Sequence, residues 1–126
     1  MAKTKYSLEF PMKTSTRVLY NRLSTASGLS EWFADNVHVN GNIFTFIWDN
    51  SEENAEMVSK KDQKYVRFKW IDDEDDDAYF EFKINVHELT GDTSLIITDF
   101  AEDDEIDDAK DLWETQVNVL RQILGS

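Results

Sequence analysis

The stretch DDAKDLWETQVNVLRQIL, residues 107–124, decides the fold. Its apolar positions Ala109, Leu112, Trp113, Val117, Leu120, Ile123 and Leu124 recur in steps of three and four, the period of a helix with one apolar stripe. At 3.6 residues per turn the stretch makes about five turns. Gly125 stands where a left-handed C-terminal cap belongs. A helix with one apolar stripe must bury it, so the rest of the chain has to supply a surface.

That surface reads as strands. Working back from the helix, residues 93–100, 78–89 and 64–71 alternate apolar and polar, the period-two pattern of a half-buried sheet. In the longest of them Phe80, Phe82, Ile84 and Val86 face one way, against Glu81, Lys83, Asn85 and His87. Residues 56–60, 43–48 and 37–39 add three more strands, with a hairpin turn signal at Asn40-Gly41 and a second turn at residues 49–51. Short turns between successive strands predict an antiparallel meander. Before it, residues 5–12 alternate through Tyr6, Leu8 and Phe10 to a strand ended by Pro11. Two short helices should follow, one capped by Thr14 or Ser15 and one over residues 28–34 that carries Leu29, Trp32 and Phe33 inward. The expected fold class is α+β: a curved antiparallel sheet of about six or seven strands around a long C-terminal helix.

Composition bounds the rest. The 126 residues suit one domain, and a 40% hydrophobic and 13% aromatic content is enough for a core. There is no cysteine, so disulfides and thiolate metal sites are excluded. The N-terminus lacks the apolar run of a secretion signal, and no window has the length to cross a bilayer, so the expectation is cytoplasmic. A net charge of -13, with scattered Lys and Arg, argues against nucleic acid and anionic membranes.

Four segments, GLSEWFAD at 28–35, FTFIW at 44–48, ITDFA at 97–101 and LWETQV at 112–117, resemble small bacterial proteins of the START-like (SRPBCC, helix-grip) superfamily. These are related to the co-chaperone type that activates the heat-shock ATPase. The resemblance covers essentially the whole chain. It implies a cavity between sheet and helix, and a tryptophan-containing turn after the first helices that Trp32 matches. It does not carry over a catalytic set.

The residues expected to line such a cavity are Trp32, Phe33, Phe46, Trp48, Phe68, Trp70, Phe82, Ile84, Ile97, Asp99, Trp113, Gln116, Val117 and Leu120. The same aromatics could equally fill a solid core, since both uses draw on the same residue types. Asp99 shares a face with Leu95 and Ile97. Pointing inward it would need a donor such as a tryptophan indole; the plainer reading is a strand-end carboxylate that reaches water or caps a backbone group. Gln116 is the polar exception on the helix stripe, placed to orient a ligand or satisfy a buried group such as Asp99.

The acid run at residues 72–77 lacks the spaced ligand pattern of a calcium loop and reads as a solvated hairpin tip. The run at 102–108 complements the dipole at the start of the final helix. His38 and His87 read as exposed strand residues. No catalytic residue, metal or cofactor is expected. The leading expectation is a non-enzymatic module that binds a small lipid-like or other hydrophobic metabolite. The alternatives are an interaction domain that meets a basic protein partner, and a cavity enzyme using Asp99, Tyr79 or His87.

Overall fold

The computed structural model describes residues 3–125. The elements are β1 (Thr4–Met12), α1 (Thr16–Ser24), α2 (Ala26–Leu29), β2 (Asn36–Asn40), β3 (Ile43–Trp48), β4 (Ser51–Lys61), β5 (Tyr65–Trp70), β6 (Phe80–Val86), β7 (Thr93–Ala101) and α3 (Ile106–Leu124), with a 3-10 turn, Asp103–Glu105, before α3. The strands form one antiparallel sheet in the order β1-β7-β6-β5-β4-β3-β2. The expected architecture is therefore present: an open seven-stranded sheet, two short helices after the first strand, and a long C-terminal helix. Gly125 closes α3 in the left-handed conformation, at φ 71°.

The inner face is continuous because alternation in each strand agrees with register across strands. Phe44 and Phe46 on β3, Val66 and Phe68 on β5, Phe80 and Phe82 on β6, and Leu95 and Ile97 on β7 are all buried. Phe68 stacks on Phe80 at 5.0 Å, and Phe44 meets Phe68 edge-on at 5.1 Å. Each such pair adds about 0.5–1.5 kcal/mol beyond the area it buries. Trp113, Val117 and Leu120 press the α3 stripe onto this face.

Several local expectations shift. Pro11 lies inside β1, paired with Ser94, rather than ending the strand. β1 is an edge, so the N–H that proline lacks would have faced away from the sheet. β4 runs eleven residues, well beyond the expected five, because register with β3 extends it through the polar residues 51–54. The two-residue loop of the first hairpin is Gly41-Asn42, and only Gly41 has a positive φ, 62°, as a type II′ turn requires. α2 covers residues 26–29 instead of 28–34. Thr25 caps it through a bond from Gly28 N, and Trp32 N, Phe33 N and Ala34 N all return to the Leu29 carbonyl, closing the helix into a turn. Trp32 and Phe33 thus reach the core from that turn. Val86 and Leu112, both assigned to inner faces, are exposed, and Ala109 and Gln116 are only partly covered.

Candidate functional site

Antiparallel connectivity decides which residues meet at each end of the sheet. β3 and β5 finish, β4 and β6 start, and β7 runs into α3, all at one end. Near that end the inner face presents Trp48, Glu53, Trp70 and Asp99. Together with Phe33 and the first turns of α3 they enclose a cleft of about 420 Å³, lined by Phe33, Trp48, Glu53, Trp70, Asp99, Ala109, Leu112, Trp113 and Gln116. That volume is within the range of small-molecule sites.

Phe33 organises the wall. Its ring stacks on Trp113 at 5.7 Å and 15°, and meets Trp48 edge-on at 5.6 Å. Its carbonyl accepts two hydrogen bonds, from Trp48 Nε1 and from Gln116 Nε2, each at 3.0 Å. One backbone oxygen therefore ties the α2–β2 connection to β3 and to α3. Trp48 and Trp70 lie 6.4 Å apart at 53°, each partly exposed to the cleft.

Asp99 sits behind the Trp113 indole. Trp113 Nε1 donates to Asp99 Oδ2 and to the Tyr6 hydroxyl oxygen, both at 3.1 Å; the Tyr6 hydroxyl donates to Asp99 Oδ2 at 3.3 Å. Phe100 N donates to Asp99 Oδ1 at 2.8 Å. Asp99 thus caps a backbone N–H, as the plainer reading had it. It also points inward and takes an indole donor, which that reading did not include. Burial raises its pKa above the usual carboxylate value, opposed by the bonds from Phe100, Trp113 and Tyr6 and by the charge of Lys3. Burial and the neighbouring Asp99 charge push Tyr6 up as well.

Of the expected lining residues, the structure brings Phe33, Trp48, Trp70, Asp99, Trp113 and Gln116 to the cleft. Trp32, Phe46, Phe68, Phe82, Ile84, Ile97, Val117 and Leu120 belong to the buried core beneath it. Gln116 reaches the Phe33 carbonyl rather than Asp99, whose side-chain donors are Trp113 and Tyr6. Glu53 was not foreseen. Its register opposite Phe46 places it on the inner face, but its strand was expected to start only at Glu56.

The groups of the cavity-enzyme reading do not share a site. Tyr79 packs against Phe100, with the Arg67 guanidinium 4.0 Å from its ring centre. His87 lies just past β6 at the other end of the sheet, 3.8 Å from Glu9 and half-exposed. His38 is an exposed strand residue. Carboxylates of Glu102, Asp104 and Glu105 lie within 4.8 Å of one another, at or near the surface. Glu105 is raised by a hydrogen bond and charge from Glu102, the signature of crowded acids.

A family model described as a START-like superfamily domain matches residues 1–126. The chain belongs to the START-like superfamily. The solution structure of BfR322 from Bacteroides fragilis is 43% identical, with a TM-score of 0.69 over 98% of this chain and 92% of that one. Aha1 from Colwellia psychrerythraea, solved as a dimer, shares the fold at 16% identity and a TM-score of 0.81, covering 96% of each chain. MLL2253 from Mesorhizobium loti does so at 16% and 0.79, covering 97% of each. No curated protein matches the chain. Among the described residues of this START-like domain, no helix is long and apolar enough to cross a membrane.

Proposed function

We propose that this START-like domain is a non-enzymatic binding module that holds a small apolar or amphipathic ligand in the cleft between the sheet and α3. The observation that carries the reading is the cleft itself. It pairs an aromatic wall, Phe33, Trp48, Trp70 and Trp113, with a few polar groups, Glu53, Asp99 and Gln116. An apolar surface with a few placed polar groups is the usual composition of a small-molecule site. Leu112, 60% exposed on an otherwise inward stripe, supplies apolar surface that a ligand would cover.

Native mass spectrometry and thermal shift against a panel of lipids and metabolites test it. A ligand present at a hundred times its Kd should add roughly 2.7 kcal/mol of stability. Panel-wide absence of both a bound mass and a stability shift would end the reading.

A second reading, an interaction domain that meets a basic protein partner, is supported by the acidic connections at the cleft end of the sheet. They include six consecutive acidic residues at 72–77. It predicts a pull-down partner that withstands moderate salt; no partner at low salt would count against it.

A further inference from the structure

The connections around the cleft are acidic. The β3–β4 turn carries Asp49, the β5–β6 loop carries the run 72–77, and the β7–α3 junction carries the run 102–105. Topology brings all three to the end of the sheet where the cleft opens. Two lysines are tied into the β5–β6 loop: Lys3 Nζ pairs with Asp73 at 3.0 Å, and Lys69 Nζ bonds the carbonyls of Asp75, Asp76 and Ala78. They hold the loop's shape, and among the described residues Asp73 is the one carboxylate of the run with a partner cation. A low-dielectric cleft rimmed by one sign of charge concentrates the opposite ion.

The lining has the same bias. Its two charged groups, Glu53 and Asp99, are both carboxylates, placed on strands separated by β5 and β6. No Lys, Arg or His lines the cleft among the described residues. Most of the donors are already committed: Trp48 Nε1 and one Gln116 amide N–H to the Phe33 carbonyl, and Trp113 Nε1 to Tyr6 and Asp99. The Trp70 indole N–H and the second Gln116 amide N–H have no protein partner among the described residues. Acceptors are left over, including the Gln116 amide oxygen and the Glu53 carboxylate. Aromatic faces add a further preference, since the negative face of an indole attracts a cation that has shed part of its water. A fatty-acid carboxylate would meet two like charges, and a fully apolar ligand would strip water from Glu53 with nothing in exchange.

We infer that the ligand of this cleft is a small organic cation, an ammonium group carried on an apolar body, held between the Trp48–Trp70 corner and the carboxylates of Glu53 and Asp99. The inference rests on the cleft being a ligand site, and the test separates the two. Indole N–H signals of the full chain would be followed by NMR during titration with three probes of similar size. These are benzyltrimethylammonium, its neutral isostere neopentylbenzene, and the anion benzylsulfonate.

The expected result is that the cation shifts the Trp48, Trp70 and Trp113 signals with a Kd at least tenfold below that of the neutral probe. The anion should shift none of them. Glu53→Gln, a change at an exposed position, should weaken the cation severalfold without weakening the neutral probe, which no longer desolvates a carboxylate. Trp70→Leu should do the same by removing an aromatic face while keeping apolar bulk. If the neutral probe or the anion binds as tightly as the cation, or Glu53→Gln leaves the cation unaffected, the charge assignment is overturned and the cleft remains a ligand site. If none of the three probes moves an indole signal, both readings fall.

Discussion

Trp113→Phe tests the linkage at the back of the cleft. The substitution keeps an aromatic ring against Phe33 and Phe82 but removes the indole N–H that reaches Asp99 and Tyr6 at 3.1 Å. A hydrogen bond to a charged acceptor contributes about 1.5–3 kcal/mol. The smaller ring adds roughly 1–2 kcal/mol of lost burial and imperfect filling. The expected destabilisation near neutral pH is therefore about 2.5–5 kcal/mol, read as a lower urea midpoint with an unchanged slope. Two further measurements isolate the N–H. In an Asp99→Asn background the indole faces a neutral acceptor, whose bond is worth about 0.5–1.5 kcal/mol, so the Trp113→Phe cost should fall by about 1 kcal/mol. The pH dependence has a definite sign. Asp99 is raised in the folded protein, so it favours folding below its unfolded pKa and loses that contribution as pH rises through its folded value. Removing a donor raises it further, so the Trp113→Phe penalty should shrink as pH falls and Asp99 protonates. Tyr6, Trp113, the Phe100 N–H and Lys3 are the groups that act on it. A penalty that is flat with pH and unchanged by Asp99→Asn would refute the assignment of Trp113 as the carboxylate's donor.

Gly28→Ala should destabilise the fold by roughly 2–4 kcal/mol in thermal or urea unfolding, because an added Cβ meets the Asn21 carbonyl and lies 2.6 Å from Arg22 Cα, both backbone. Asp73→Asn should cost about 1 kcal/mol near neutral pH. Although burial acts to raise Asp73, the Asp75 N–H and Lys3 hold its pKa below the usual value, so its contribution is present above the unfolded pKa and disappears as acid titration passes the folded one. The effect should therefore vanish in urea titrations at low pH. Leu112→Ala should change stability by no more than about 0.5 kcal/mol, since the side chain is largely exposed, while weakening any cleft ligand severalfold by calorimetry.

The fold was legible because two periods agree with one another. The three-and-four spacing of α3 and the alternation in β5, β6 and β7 both describe one apolar face, and each needs the other for burial. The misses fell where tertiary structure overrides local preference. Polar residues 51–54 do not look like a strand, yet pairing with β3 makes them one and brings Glu53 onto the inner face. The residues from Glu31 to Ala34 carry a helical signal. Instead, the Leu29 carbonyl, shared by three backbone N–H groups, turns the chain and delivers Trp32 and Phe33 from a tight loop.

Cleft and core could not be separated by residue type, and the structure shows what does separate them. Phe44, Phe46 and Trp48 occupy successive inner positions of β3, as Val66, Phe68 and Trp70 do on β5, and Leu95, Ile97 and Asp99 on β7. In each series the last residue is partly exposed and the two before it are buried. All three final positions lie at the same end because β3, β5 and β7 run parallel to one another within the antiparallel sheet. Position along the strand therefore decides whether an aromatic fills the core or walls the cleft. The same geometry makes a carboxylate tolerable at Asp99, one step beyond fully buried Ile97: at the strand end, the backbone N–H of Phe100, the Tyr6 hydroxyl and the Trp113 indole can all reach it. One step deeper, where Ile97 sits among Phe82, Val117 and other fully buried apolar side chains, an ionised group would have to be buried in apolar surroundings.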